Sequence, residues 1–197
     1  MSRYVTLQAL RDYLSPDGSL GTEQDGLLQD CLDRAEGAIS AYTRRSFAGT
    51  AGTVYYNRFS GGQVAGAAFY LDQDLYSLTG VYNGDGQTIP VGSVWLEPRN
   101  EGPPYRIVRL KSAYVWVWNT DSDVVFSGTW GYSTTPPADI QQATVRYAAY
   151  LYRGKDQGGM TDVAGFQEGG EVTIISGIPQ DVRYLLAPYR SRTGGAV

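Results

Sequence analysis

Two stretches with apolar residues at helical spacing frame a long run, residues 49–129, in which the period changes to that of strands. That interruption limits the folds open to this chain. Leu27, Leu28, Cys31, Leu32, Ala35, Ala38, Ile39 and Tyr42 form one stripe, and Ile140, Ala143, Thr144, Tyr147, Ala148 and Leu151 form another. Each stripe needs a surface to bury it, and each lies at one end of the same insertion. The economical solution is an α+β fold, a small helical bundle with a large antiparallel β insertion between the second helix and the Asp139–Arg153 helix. Residues 1–48 and 130–197 then form a helical body with a C-terminal arm, and residues 49–129 an inserted β-rich lobe.

Local signals place the elements. Thr6 is an N-cap for a short helix over Leu7–Leu14, closed by Ser15-Pro16-Asp17-Gly18. Thr22 offers its hydroxyl to a second helix running to about Arg45, where Arg44 and Arg45 complement the dipole. Pro137 suits the first position of the later helix and Pro136 keeps the preceding residues extended. Asp139 puts a carboxylate in its first turn. Strands are expected at Val54–Tyr56, Phe69–Leu71, Ser77–Tyr82, Thr88–Val91, Ser93–Leu96, Tyr105–Leu110, Tyr114–Trp118 and Val124–Thr129, with Asn83-Gly84-Asp85-Gly86 as a hairpin turn. The Gly-rich stretch Gly154–Glu171 reads as a mobile loop, Val172–Ile175 as a short strand, and Pro179–Ala187 as a last helix before a mobile tail. Val182, Leu185, Leu186 and Tyr189 share one face of that helix.

Composition removes whole classes of chemistry. The chain has no histidine, which excludes Ser-His-Asp and Cys-His catalysis and His-ligated metals. Its single cysteine, Cys31, excludes an internal disulfide and a Cys-rich zinc site, and lies where packing is its expected role. A net charge of −4 argues against a general nucleic-acid-binding surface. No run is long enough to span a bilayer, and MSRYVTLQALRDYL lacks the apolar core of a secretory signal, so a cytosolic product is expected. Against that, 16 tyrosines, 4 tryptophans and 25 glycines suit twisted strands, tight turns and interfaces.

The remaining constellations are weak. Asp72 and Asp74 would share one strand face, but no ligand set completes a metal site, and a turn edge explains both. The Asn83–Gly86 run is accounted for by hairpin chemistry. Glu97, Asp121 and Asp123 could be imagined as paired glycosidase carboxylates, with nothing to set their separation. Tyr114, Trp116 and Trp118 alternate, which suggests core or subunit packing. A carbohydrate-binding β module that stacks sugars on such rings is the alternative reading, although the flanking helices speak against it.

With the helix pair and insertion placed, the chain resembles the head–tail connector (adaptor, or head completion) proteins of long-tailed bacteriophages. The residues that carry the resemblance are YVTLQALRDYL, LDRAEGAISAYTRRSF, LEPRN, GTWGYSTTPPADIQQATVRYAAYLYR and GIPQDVRYLLAPYR. It implies a structural virion protein at the head–tail junction, assembled in the host bacterial cytoplasm, with no enzymatic activity, cofactor or membrane contact. It further implies a homo-oligomeric ring, usually dodecameric, beneath the portal protein. Such a ring extends a channel through which double-stranded DNA passes without specific binding, and presents a platform to a stopper or tail-completion protein. On this resemblance the segment Ile178–Val197 meets the portal, with Arg183, Tyr189, Arg190 and Arg192 as contacts. Tyr114, Trp116, Trp118 and Lys155 are the residues expected at subunit or tail interfaces.

Overall fold

The computed structural model describes residues 4–57, 63–119, 122–154 and 177–191. Arg45–Pro136 form one compact unit, and the chain on either side of it forms another. The fold is α+β, as the change of period implies, with four α-helices and a six-stranded antiparallel sheet among the described residues.

In the helical unit, α1 spans Leu7–Leu14, and the Thr6 hydroxyl accepts the Ala9 amide at 3.2 Å as the expected cap. The turn that closes α1 is held by Asp17, which accepts from the hydroxyls of Ser15 and Ser19. Those bonds, Ser15 foremost, lower its carboxyl to about 2. α2 spans Asp25–Thr43. Thr22 does not cap it: residues Thr22–Gln24 form a 3-10 turn that runs straight into the helix, and no side chain caps either. Arg44 ends α2 in the left-handed region at φ 54°, so the arginine pair divides. Arg44 closes the helix and Arg45 belongs to the β unit.

α3 spans Ala138–Gly154, with Gln141 N donating to Pro137 O at 3.0 Å at its start. α2 and α3 pack together. Leu28, Cys31, Leu32, Ala35 and Ile39 are buried on one, and Ile140, Ala143, Tyr147 and Ala148 on the other. Thr43 and Thr144 are fully buried too. Their hydroxyls donate to the carbonyls of Ile39 and Ile140, each at 2.7 Å, which removes the cost of an unpaired polar group. The N-terminal segment lies along α2 through Tyr4, whose amide donates to Glu36 Oε1 at 3.0 Å and whose hydroxyl meets Ser40 Oγ at 2.8 Å. α4 spans Gln180–Leu186, continues as a 3-10 turn over Ala187–Tyr189, and packs on α3 with Val182 and Leu186 buried.

In the β unit the strands are β1 Thr50–Tyr56, β2 Gln63–Ala65, β3 Ala68–Tyr82, β4 Val94–Glu97, β5 Tyr105–Leu110 and β6 Val124–Trp130. Their order is β1-β6-β3-β5-β4, with β2 on β3. Three expectations need correction. The strands Phe69–Leu71 and Ser77–Tyr82 are one strand, β3, which pairs with β5 over its first half and with β6 over its second. Thr88–Val91 makes only a bridge from Thr88 to Tyr82 before a 3-10 turn. Tyr114–Trp118 is not a strand. The core is aromatic, with Tyr56, Phe69 and Phe126 in edge-to-face contact at centroid separations of 4.9–5.8 Å.

The chain enters and leaves this unit through a pair of stitched segments. Gly49 N donates to Ser133 O and Tyr132 N to Ser46 O, both at 2.7 Å, and the Ser133 hydroxyl donates to Phe47 O at 3.2 Å. Gly131, at φ 139°, lies so close that a Cβ there would stand 3.0 Å from Gly49 Cα.

Candidate interaction surfaces

The two carboxylates on β3 are structural. Asp74 is buried, its side chain 2 % exposed, and it accepts from Arg106 Nε at 2.7 Å and from Arg45 Nη1 at 3.1 Å. Arg45 also lies over the Tyr132 ring, 5.0 Å from its centroid. Asp72 accepts the Tyr56 hydroxyl at 2.6 Å. Burial, reinforced by that carboxylate, pushes the Tyr56 phenol far above its ordinary range. Neither acid sits at a turn edge; both lie inside β3 and are satisfied by partners distant in sequence. Glu97 is likewise engaged, accepting from Arg109 Nε at 2.7 Å, and that bond lowers its carboxyl. Asp123 is half-buried, and Asp121 lies outside the described residues. Among the described residues no cluster of three or more potential metal ligands forms, and no helix is long and apolar enough to cross a membrane.

Tyr114, Trp116 and Trp118 pack against the core of their own unit. Trp116 stands edge-on to Phe69 at 5.2 Å and donates its indole N–H to Ala67 O at 2.9 Å. Trp118 lies 5.9 Å from Phe69. What holds this irregular segment is Asn83, whose Nδ2 donates to Val115 O at 2.9 Å and whose Oδ1 accepts Val117 N at 3.0 Å. Gly84 completes the clamp, because a Cβ there would meet Val117 O at 2.3 Å. The Asn83–Gly86 turn therefore does more than reverse the chain. Its buried amide takes the place of a neighbouring strand.

The last helix is not part of a free arm. Tyr189 donates its hydroxyl to Asp139 at 3.2 Å, Arg190 lies over the Tyr42 ring at 5.0 Å, and Ser191 N donates to Thr43 O at 2.8 Å. All three are thus engaged with the helical unit, and Arg183 and Arg190 are both exposed. Arg192, Lys155, the loop beyond Gly154 and the strand expected at Val172–Ile175 lie outside the described residues.

One surface carries a signal absent from the sequence reading. On the outer face of β4 and β5, Trp95 is 39 % exposed, with the Arg99 guanidinium 3.5 Å and the Lys111 ammonium 4.1 Å from its ring centroid. Arg109 stands opposite Trp95 in the ladder. The V-W-L-E-P-R spacing held a clue, since it places an arginine four residues beyond the tryptophan, but Arg109 and Lys111 arrive only through strand pairing.

No family model matches the chain, and no curated protein does. Solved structures do. A chain in the neck of an empty gene transfer agent particle, computed with C6 symmetry, aligns at a TM-score of 0.63 and 18% identity, covering 98% of this chain and 93% of that one. A chain in the virion of a native gene transfer agent particle gives the same values. One in the neck of the native particle, computed with C12 symmetry, aligns at 0.59 and 17%, covering 96% and 91%. At this identity the likeness is one of fold, and it runs through both the helical unit and the β unit.

Proposed function

We propose that this chain is a structural virion protein of the head–tail neck, an adaptor that forms a ring under the portal protein. In this role it extends the DNA channel and offers a docking platform to the stopper or tail-completion protein. The observation that carries the reading is the alignment of 98% of the chain, helices and insertion together, with a chain in the neck of a gene transfer agent particle. The necks computed with C6 and C12 symmetry support a cyclic homo-oligomer, and a dodecamer within it. The lack of histidine and the engagement of Asp74, Asp72 and Glu97 in structural pairs support a role without catalysis or cofactor.

In this role double-stranded DNA passes through without specific binding, the chain makes no membrane contact, and the ring assembles in the host bacterial cytoplasm. On this reading Arg183, Tyr189, Arg190 and Arg192 are the portal contacts, with Arg183 and Arg190 exposed on the described surface. Tyr114, Trp116 and Trp118, each half-buried, contribute to subunit or tail contacts on this reading, with Lys155. Negative-stain imaging and native mass of the purified chain test the proposal. Rings are expected, and so is capture by portal complexes that weakens when Arg183 and Arg192 are replaced by Glu. A monomer that binds glycans instead would overturn it in favour of a carbohydrate-binding module.

A further inference from the structure

The face around Trp95 combines an exposed ring with cations held over it. Trp95 and Glu97 on β4, Ile107 and Arg109 on β5 and Tyr70 on β3 share one side of the sheet, because their register partners alternate with the core residues Leu96, Val108 and Phe69. Trp95 and Tyr70 are 39 % and 44 % exposed. Arg99, Arg109 and Lys111 gather there, with the Glu97 carboxylate paired to Arg109, in a chain whose net charge is −4. Exposed Trp, Tyr and Arg held in fixed geometry are the composition of a protein-binding hot spot. A phosphate backbone would favour bare cations, and here the Glu97 carboxylate would repel it.

From this geometry we infer that the Trp95 face docks on the acidic outer ridge of the Thr22–Thr43 helical segment of a second copy of this chain. That ridge exposes Glu23, Asp30 and Asp33, with Leu27 also 40 % exposed among them. Its exposed cation is Arg34, whose field reaches Tyr147 of α3. Charge complementarity chooses the occupant. A basic face cannot meet its own copy across a twofold axis without opposing like charges. A basic sheet face on an acidic helix ridge instead makes a head-to-tail contact, which closes into a ring or runs on as a filament. The inference deepens the proposed ring and rests on that reading for closure alone.

The test uses two variants of the full chain, R99E/K111E on the sheet face and D30K/D33K on the ridge, with native mass and sedimentation at low and high salt. Each variant alone should dissociate, with the subunit dissociation constant raised about ten-fold or more, while circular dichroism and melting stay at wild-type values. Mixed in equal amounts, the two should reassemble, because the acidic sheet of one now fits the basic ridge of the other. Rings unchanged in both variants would overturn the inference and leave the proposed ring standing. Salt-sensitive filaments that dissociate in each variant and recover on mixing would support it and remove the ring. Loss of assembly without rescue on mixing would overturn the helix ridge as occupant. A sheet variant altered in affinity for double-stranded DNA but not in mass would overturn it in favour of nucleic acid, and a wild-type monomer at all concentrations would overturn both readings.

Discussion

Gly52 and Gly128 face each other across the β1–β6 ladder, and replacing each by alanine should give opposite results. At Gly52 a Cβ would lie 3.8 Å from Trp130 Cδ1, an ordinary contact, in an exposed strand. At Gly128 it would lie 2.1 Å from Ser77 O and 3.2 Å from Leu75 Cδ1. The cause of the difference is β3, whose register shifts on both sides of Ser77 and Leu78, so that a carbonyl comes down onto the β6 backbone. A Cβ essentially never approaches closer than 3.0 Å, so β3 and β6 would have to part by about an ångström. That would stretch ladder hydrogen bonds beyond useful length. Overpacking of this kind costs about 1–3 kcal/mol, and two or three weakened bonds add about 1 kcal/mol each, so Gly128→Ala should destabilise the unit by ~3–6 kcal/mol. Gly52→Ala should stabilise it by ~0.5 kcal/mol through the unfolded chain's lost freedom. All four tryptophans, Trp95, Trp116, Trp118 and Trp130, lie in the β unit, so fluorescence during urea unfolding reports on it alone. With a slope of about 1.5 kcal/mol/M, the midpoint should fall by ~2–4 M for Gly128→Ala and rise slightly for Gly52→Ala. Equal midpoints for the two variants would refute the argument.

Three further outcomes follow from the same contacts. Ile39→Asp places a carboxylate at a position with no exposure in α2, and should cost several kcal/mol, about the penalty for burying an unpaired charge that protonates; unchanged melting would show the α2–α3 pairing to be wrong. Asp74→Ala leaves Arg45 and Arg106 facing each other without their shared carboxylate, and should destabilise by ~3–5 kcal/mol, read in the same urea titration. Glu97 is held below its ordinary value by Arg109. Its contribution is therefore present above the ordinary carboxylate range and lost as pH falls through the lowered value. NMR should find its titration midpoint below that of exposed glutamates and see it return in Arg109→Ala; a midpoint unmoved by that substitution would contradict the pairing.

How much of this was legible differs by element. α1, α2 and α3 follow from apolar spacing and, for α1, a cap, because their buried faces are determined by neighbours one turn away. β3 was not legible as one strand. Asp72 and Asp74 read locally as a turn, and only Tyr56, Arg45 and Arg106, all remote in sequence, make them acceptable inside a sheet. Tyr114–Trp118 alternates as a strand does, yet its backbone is satisfied by the Asn83 side chain, an arrangement that periodicity cannot encode. The stripe on α4 announced that the helix needs a surface but not that α3 supplies it. Likewise the Trp95 face comes from β4–β5 pairing, which places Arg109 opposite a ring fourteen residues earlier.

The stitched base of the β unit bears on how such a chain can change over generations. Because Ser46 and Gly49 are bonded to Tyr132 and Ser133, the unit closes on itself before the chain returns to the helices. The helical hairpin on either side of it then experiences little more than a short loop, whatever the length of the excursion, since loop closure entropy grows only slowly with length and is met inside the unit. An insertion with adjoining ends of this kind can be enlarged, trimmed or exchanged without re-solving the packing of α2 on α3. The β unit is in that sense a replaceable cassette. Variation in sequence and length can accumulate there, while the helices keep to a single solution.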